Sequence, residues 1–461
     1  MPKLLFPDTF RWGATSSSLA IEGSAEELGR SPSIWDKFST QAGVIKDGSN
    51  PFRSTEHIVH WEHDLNLMKR IALQTYKFSV SWSRVLPNGT ASLNDAGLDF
   101  YDRLIDGLLA RNIEPWLTLN HWDLPLILED KGGWLKRDTV YHFADYAQKI
   151  AARLGDRVAH WITHNDPYAM AFHGYRDGVH APGETKARGG WIAAHHLLLA
   201  HAEAAEALHA EARIPDIRVG IALHLVPTSP ASDSDPDHRA TIQKDGKQNR
   251  WFLDPLFKGE YPDDIFFEAK RDSGEQGLDW IQRGDLSRIH NSSDFLGINY
   301  SSRALVRSEE TYNAKRSEFP NKKGKTQAGL EFAPEGLRLL LTRVNTDYAP
   351  TEIYITENGA AYQDAFDEHG RIPDDLRMAY ISGHLQAVNE ALVEGVPIKG
   401  YFVKSFLDAW EWTDGYSLTY GLVHVDFVHE ERTLKNSAYW YARVIDTKDH
   451  DWNPGIDYRE G

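Results

Sequence analysis

Two acidic residues stand where chemistry is most readily done in this chain. Ile353-Tyr354-Ile355-Thr356 is a short apolar and β-branched run that gives way to Glu357-Asn358-Gly359, where a turn signal begins. Trp161-Ile162-Thr163 is a second such run, and it gives way to His164-Asn165-Asp166-Pro167. Each acid follows an Ile-Thr strand end and has an Asn beside it. In a barrel of alternating strands and helices, the carboxyl ends of strands present the reacting groups. Two carboxylates across one barrel mouth are the minimal equipment for cleaving a glycosidic bond, one as nucleophile, the other as acid and then base. Taken singly, either acid reads as a loop cap or a structural group; their paired placement favours catalysis.

The elements that must hold these acids can be read from the same kind of pattern. Strands are expected at Arg11 to Thr15, Gln74 to Ser79, Glu114 to Leu119, Ala159 to Thr163, Arg218 to Leu223, Asp294 to Ile298, Ile353 to Thr356 and Ile398 to Val403. Amphipathic stretches between them, such as Ala96 to Arg111, Thr139 to Leu154, Trp191 to Ala212 and Asp375 to Glu394, are long enough to cross over as helices. This alternation predicts an α/β fold: a single (β/α)₈ TIM barrel spanning residues 1–461, with extended loops on its catalytic face. The polar segments Ser229 to Gln248 and Arg307 to Gln327 follow predicted strands and read as insertions in those loops, with disorder as the alternative.

Composition excludes several classes of function. The chain has 67 Asp and Glu against 50 Lys and Arg, a formal charge of −17, so nucleic acid is not an expected partner. It has no cysteine, which removes disulfides, thiolate metal sites and cysteine nucleophiles. No run approaches a membrane span and the first residues lack a signal-peptide core, so the expected location is cytoplasmic. Fifteen Trp and nineteen Tyr suit stacking on sugar rings as well as packing. A homo-oligomer is compatible with the sequence.

With these segments in view, the chain resembles glycoside hydrolase family 1, the β-glucosidase and β-galactosidase family, over nearly its whole length. The resemblance is carried by Phe10-Arg11-Trp12-Gly13-Ala14-Thr15, Ser33-Ile34-Trp35-Asp36, Phe78-Ser79-Val80-Ser81-Trp82-Ser83-Arg84, Asn120-His121-Trp122-Asp123-Leu124-Pro125, Trp251-Phe252-Leu253-Asp254-Pro255, Ile355-Thr356-Glu357-Asn358-Gly359 and Glu411-Trp412. It implies a retaining β-glycosidase that needs neither metal nor organic cofactor. Glu357 would be the nucleophile, and Asp166 occupies the acid/base position. Asn165 would hold the sugar 2-hydroxyl, His121 and Trp412 the 3-hydroxyl, and Glu411 the 4- and 6-hydroxyls. Tyr300 would hydrogen-bond the nucleophile and Lys77 would supply it with a cation. The Asn-His-Trp-Asp context at a strand end brings Trp122 to the site beside His121. Tyr168, Met170 and His173, which follow Asp166, would line the aglycone side.

The departures from the family pattern cluster on sugar-contacting positions. The usual Gln is Ala20, the usual Arg before Phe-Ser is Lys77, the Trp beneath the sugar is Lys404, a nearby Asn is Ala409, and a frequent Asn after the fifth strand is His224. The acid/base is shortened from Glu to Asp166, which withdraws the carboxyl by about 1.5 Å, one C–C bond. Retaining geometry needs the two carboxyls about 5–5.5 Å apart, and a 1 Å misplacement costs on the order of 100-fold in rate. A modified or extended β-glycoside is therefore the expected substrate, its extra group met by the room at Ala20 and Ala409 and by Lys404, unless Lys404 pairs with a neighbouring acid. The alternatives are an ordinary β-glucosidase with a weakened acid/base, a glycan-binding protein without catalysis, and an introduced Asp166 that traps a complex. A phosphosugar is disfavoured, because the family's phosphate-binding Ser, Lys and Tyr have no counterpart around Glu411.

Overall fold

All eight expected runs are strands, buried along most of their length as strands covered on both faces must be. The computed structural model describes residues 6–211, 213–310, 324–454, 456 and 458. Its barrel strands are β1 (Arg11–Ser16), β2 (Thr75–Ser79), β3 (Glu114–Asn120), β4 (His160–Asn165), β5 (Arg218–His224), β6 (Phe295–Tyr300), β7 (Ile353–Asn358) and β8 (Ile398–Lys404). They pair in parallel and close in the order β1-β8-β7-β6-β5-β4-β3-β2. The helices Asp95–Leu109, Asp138–Leu154, Ala187–Glu211 and Asp375–Val393 lie where the sequence predicts crossovers. Their apolar faces pack on the outside of the barrel.

Both acid-bearing strands carry an irregularity just before the acid. Against β5, Ile162 pairs with Gly220 and Asn165 with Ala222, so β4 holds one residue more than its neighbour. Against β6, Ile355 pairs with Ile298 and Glu357 with Asn299; against β8, Ile355 pairs with Tyr401 and Asn358 with Val403. Strand β7 therefore also holds one extra residue, against both neighbours. Such bulges re-aim the side chains that follow them. Gly359 completes the turn because the Lys404 carbonyl occupies the place a Cβ would take.

Below the acids, the barrel interior is filled by Trp116, Ile162, Ala222, Phe295, Tyr354 and Phe402, one from each of β3 to β8. Trp116 is fully buried, with its ring 4.7 Å from Tyr354 and 5.0 Å from Phe402. This plug fills the barrel below the acids. Trp116→Ala is expected to destabilise the fold by about 3–5 kcal/mol, the range for a large aromatic removed from a packed core. The check is the chemical denaturation midpoint, and a midpoint equal to that of the parent would mean that the plug does not support the barrel.

The loop after β5 is ordered. Its strand Thr228–Pro230 pairs with Ala304–Val306 from the loop after β6, and a helix follows at Asp235–Asp245. Disorder is thus the wrong alternative for Ser229 to Gln248. Of the segment Arg307 to Gln327, residues 311–323 lie outside the described residues. Among the described residues no helix is long and apolar enough to cross a membrane.

Candidate active site

The two bulges turn Glu357 and Asp166 into one cavity at the mouth of the barrel, together with His121, Trp122, Asn165, Lys404 and Trp412. Glu357 is the last residue but one of β7, and Asp166 immediately follows β4. Asp166 adopts φ 50°, a left-handed conformation that Asp tolerates better than most residues. Its backbone N–H donates to the Ala222 carbonyl at 2.8 Å, and one carboxylate oxygen accepts from the Ala169 N–H at 3.1 Å. Both contacts fix the direction of a short side chain.

The environment of Glu357 is cationic. Lys77, fully buried on β2, donates to Glu357 Oε1 at 2.7 Å and to Asn165 Oδ1 at 2.8 Å. Burial alone would raise the Glu357 carboxyl, but the Lys77 ammonium, with Lys404 behind it, holds it down at about 2. Burial lowers the Lys77 ammonium, and Glu357 works against that. Asn165 links the strands: its Oδ1 also accepts from Asn299 Nδ2 at 3.1 Å, and its Nδ2 faces His121 Nε2 at 3.0 Å. Nδ2 can only donate, so His121 accepts at Nε2 and carries its proton on Nδ1. Burial pushes this imidazole down to about 3, which keeps it neutral. Trp122 Nε1 donates to the Asn165 carbonyl at 2.9 Å, and Trp412 stacks on His121 at 5.8 Å and 22°.

The cavity has two lobes that share His121, Glu357, Lys404 and Trp412. The outer lobe contains Asp166, His224 and Tyr300, and so surrounds the group able to protonate a leaving oxygen. The inner lobe does not include Asp166 and is bounded by Thr15, Ser17, Ala20, Ala409 and Glu411. Among the described residues no group of three or more His, Asp or Glu side chains is arranged to hold a metal ion.

Three expectations need correction or refinement. The Tyr300 hydroxyl donates to the Ala333 carbonyl at 2.6 Å, just ahead of the helix Pro334–Tyr348, and is therefore turned away from Glu357. Met170 is buried, with its Sδ accepting from Asn120 Nδ2 at 3.3 Å, because the π-helical segment Ala169–Gly174 points it into the protein rather than toward an aglycone. Lys404 Nζ lies 3.2 Å from Glu411 Oε2 and over the ring of Tyr420, so its charge is already paired, which removes the case for an anionic substituent. Burial raises the Glu411 carboxyl and Lys404 opposes this. Tyr168 and His173 bound neither lobe; His173 approaches His180, which packs on Trp122. The sequence reading missed Asn299, Ser301 and Tyr420 in the outer lobe. Asn299 had a readable signal, since it ends an apolar strand as the two acids do.

The family and the fold are shared with known proteins. The profile of a family described as Glycosyl hydrolase family 1 matches residues 3–450. The chain is 40% identical over 441 residues to the β-glucosidase A of Thermotoga maritima, covering 95% of this chain and 97% of that one. It is equally similar, at 40% over 441 residues, to the 1,4-β-D-glucan glucohydrolase of Thermotoga neapolitana, with 95% and 98% covered. The solved Thermotoga maritima β-glucosidase in complex with glucoimidazole superposes with a TM-score of 0.90 at 39% identity, over 96% of this chain and 99% of that one. A glycan-binding protein without catalysis draws no support from such relatives. The chain belongs to glycosyl hydrolase family 1 and is a glycoside hydrolase.

Proposed function

We propose that residues 1–461 work as one catalytic barrel, a retaining β-glycosidase in which Glu357 attacks the anomeric carbon and Asp166 serves as acid and then base. The observation that carries this reading is the Lys77–Glu357 contact at 2.7 Å, with Glu357 and Asp166 lining one cavity. A nucleophile must stay ionised while its partner holds a proton, and a buried cation against Glu357 meets the first requirement. His121 and Trp412, which line both lobes, with Asn165 in the outer lobe and Glu411 in the inner one, would bind the sugar hydroxyls. The relatives named above are β-glucosidases or a glucan glucohydrolase, so aryl β-glucosides are the first substrates to try. A fluorosugar with a dinitrophenyl leaving group allows the first displacement and slows the second; peptide mapping should then find the adduct on Glu357. A protein that turns over β-glycosides with no adduct on Glu357 would reject the assignment.

A second reading concerns the sugar. Ala20 and Ala409 present only methyl groups to the inner lobe, which Asp166 does not line and where the non-reducing end of the glycone would lie. This favours a glycoside extended there by an uncharged, hydroxyl-bearing group. Comparing an aryl β-glucoside with its non-reducing-end extended homologue tests this. Faster turnover of the plain glucoside would end the extended reading and leave the retaining β-glycosidase intact.

Lys77 offers a pH test. Glu357 attacks only when ionised, so its share of kcat/KM is present above the folded-state value of about 2 and is lost as pH falls through it. Lys77→Met removes the cation and is expected to move that acid limb upward by about one to three pH units, the usual effect of an adjacent opposite charge. An unmoved limb would show that Lys77 does not set the ionisation of Glu357.

A further inference from the structure

We propose that His224 is a positioning residue for Asp166, the imidazole and the carboxyl holding one proton between them for the leaving oxygen. The inference rests on the reading of Asp166 as acid/base. His224 ends β5 and faces the outer lobe with Asp166. Its Nδ1 lies 3.6 Å from Asp166 Oδ2, and its Nε2 lies 3.1 Å from Ser301 Oγ. Its backbone carbonyl accepts from Gln248 Nε2 at 2.9 Å, which anchors the end of the strand. The other Asp166 oxygen is occupied by the Ala169 N–H, so Oδ2 is the one left for a proton, and His224 is the basic group beside it. With its side chain 31% exposed, the imidazole has room to rotate, and a small rotation closes the contact to a hydrogen bond. The two residues are also the two departures that face the leaving group: a side chain one carbon shorter just after β4 is opposed by a larger, basic one at the end of β5.

The proton count closes with one proton. A neutral imidazole that donates Nε2–H to Ser301 Oγ presents its Nδ1 lone pair to the Asp166 Oδ2–H. In the first displacement that proton passes to the glycosidic oxygen, the C1–O bond to the leaving group breaks, and the bond from C1 to Glu357 forms. In the second, water gives a proton back to the pair as its oxygen bonds to C1 and the bond to Glu357 breaks. His224 never bonds to the substrate. It fixes the position and hydrogen bonding of a carboxyl that is too short to be held by its own length.

The test uses the full chain, aryl β-glucosides of graded leaving-group ability, and the variants H224N, D166N and D166E/H224N. Dinitrophenyl glucoside departs without a proton, whereas phenyl glucoside needs one. H224N is expected to lose ten- to hundred-fold in kcat/KM on phenyl glucoside, part of the roughly 10²–10⁴-fold that a positioned acid supplies. Dinitrophenyl glucoside should change little, and D166E/H224N should regain most of the loss because the longer acid no longer needs the imidazole. Equal losses on both substrates, or no recovery in the double variant, would overturn the proposal and leave His224 as an aglycone contact or a scaffold group. Fluorosugar labelling of H224N at the parent rate shows that the variant is folded; if it fails, H224Q takes its place under the same criteria. D166N separates the two levels: if it shows no dependence on the leaving group, the acid/base reading itself falls.

Discussion

Glu357→Gln is expected to lower kcat for an aryl β-glycoside on the order of 10⁶-fold, as loss of a catalytic nucleophile does in other enzymes. The amide keeps the shape of the side chain and can still accept from Lys77, but it cannot form the glycosyl ester. The shorter variant Glu357→Ala makes a sharper test, because it opens a space beside Lys77 that a small anion can enter. Added azide would then attack C1 from the Glu357 side in a single displacement and give an α-glycosyl azide. That product has the opposite configuration to the β-glycoside consumed, whereas the parent, with two displacements, retains configuration. Rescue to a β-azide, or a Gln variant that keeps a substantial part of the parent rate, would place the nucleophile elsewhere.

How far the site could be read from sequence depended on whether a feature is local. The strands were legible because buried parallel strands are short apolar runs between amphipathic helices, and the acids were legible because they stand where such runs stop. The bulges before Asp166 and Glu357 were not. A bulge adds one residue to a run that is apolar on both faces, so no alternation is broken to betray it. The partner of Tyr300 is the Ala333 carbonyl, in a loop far along the chain, and sequence gives no sign of where that carbonyl points. Lys404 and Glu411 are close in sequence, yet whether they meet depends on the turn between them, and the contact reverses what Lys404 implies about charge in the substrate. His224 shows the same limit. As a residue type after the fifth strand it read only as an altered sugar contact; its relation to Asp166 exists only once β4 and β5 are side by side.

Asp166→Ala is expected to separate substrates by leaving group. Removing a general acid costs about 10²–10⁴-fold where the departing oxygen needs a proton, so phenyl and alkyl glycosides should lose on that scale. Dinitrophenyl glycosides should still form the glycosyl-enzyme, since their first step needs no acid, and then stall because the base that activates water is gone. Two signatures follow from that stall. A burst of dinitrophenol should precede a slow steady state, with KM falling alongside kcat as the intermediate accumulates. Azide, a nucleophile that needs no base, should restore turnover and leave a β-glycosyl azide, since the Glu357 ester is displaced from the opposite face. The α and β azides from the two variants thus assign the two carboxylates independently of any rate. If Asp166→Ala slows dinitrophenyl and phenyl glycosides alike and azide does nothing, Asp166 is structural. Its left-handed backbone and its bond from Ala169 would then serve only to turn the chain after β4.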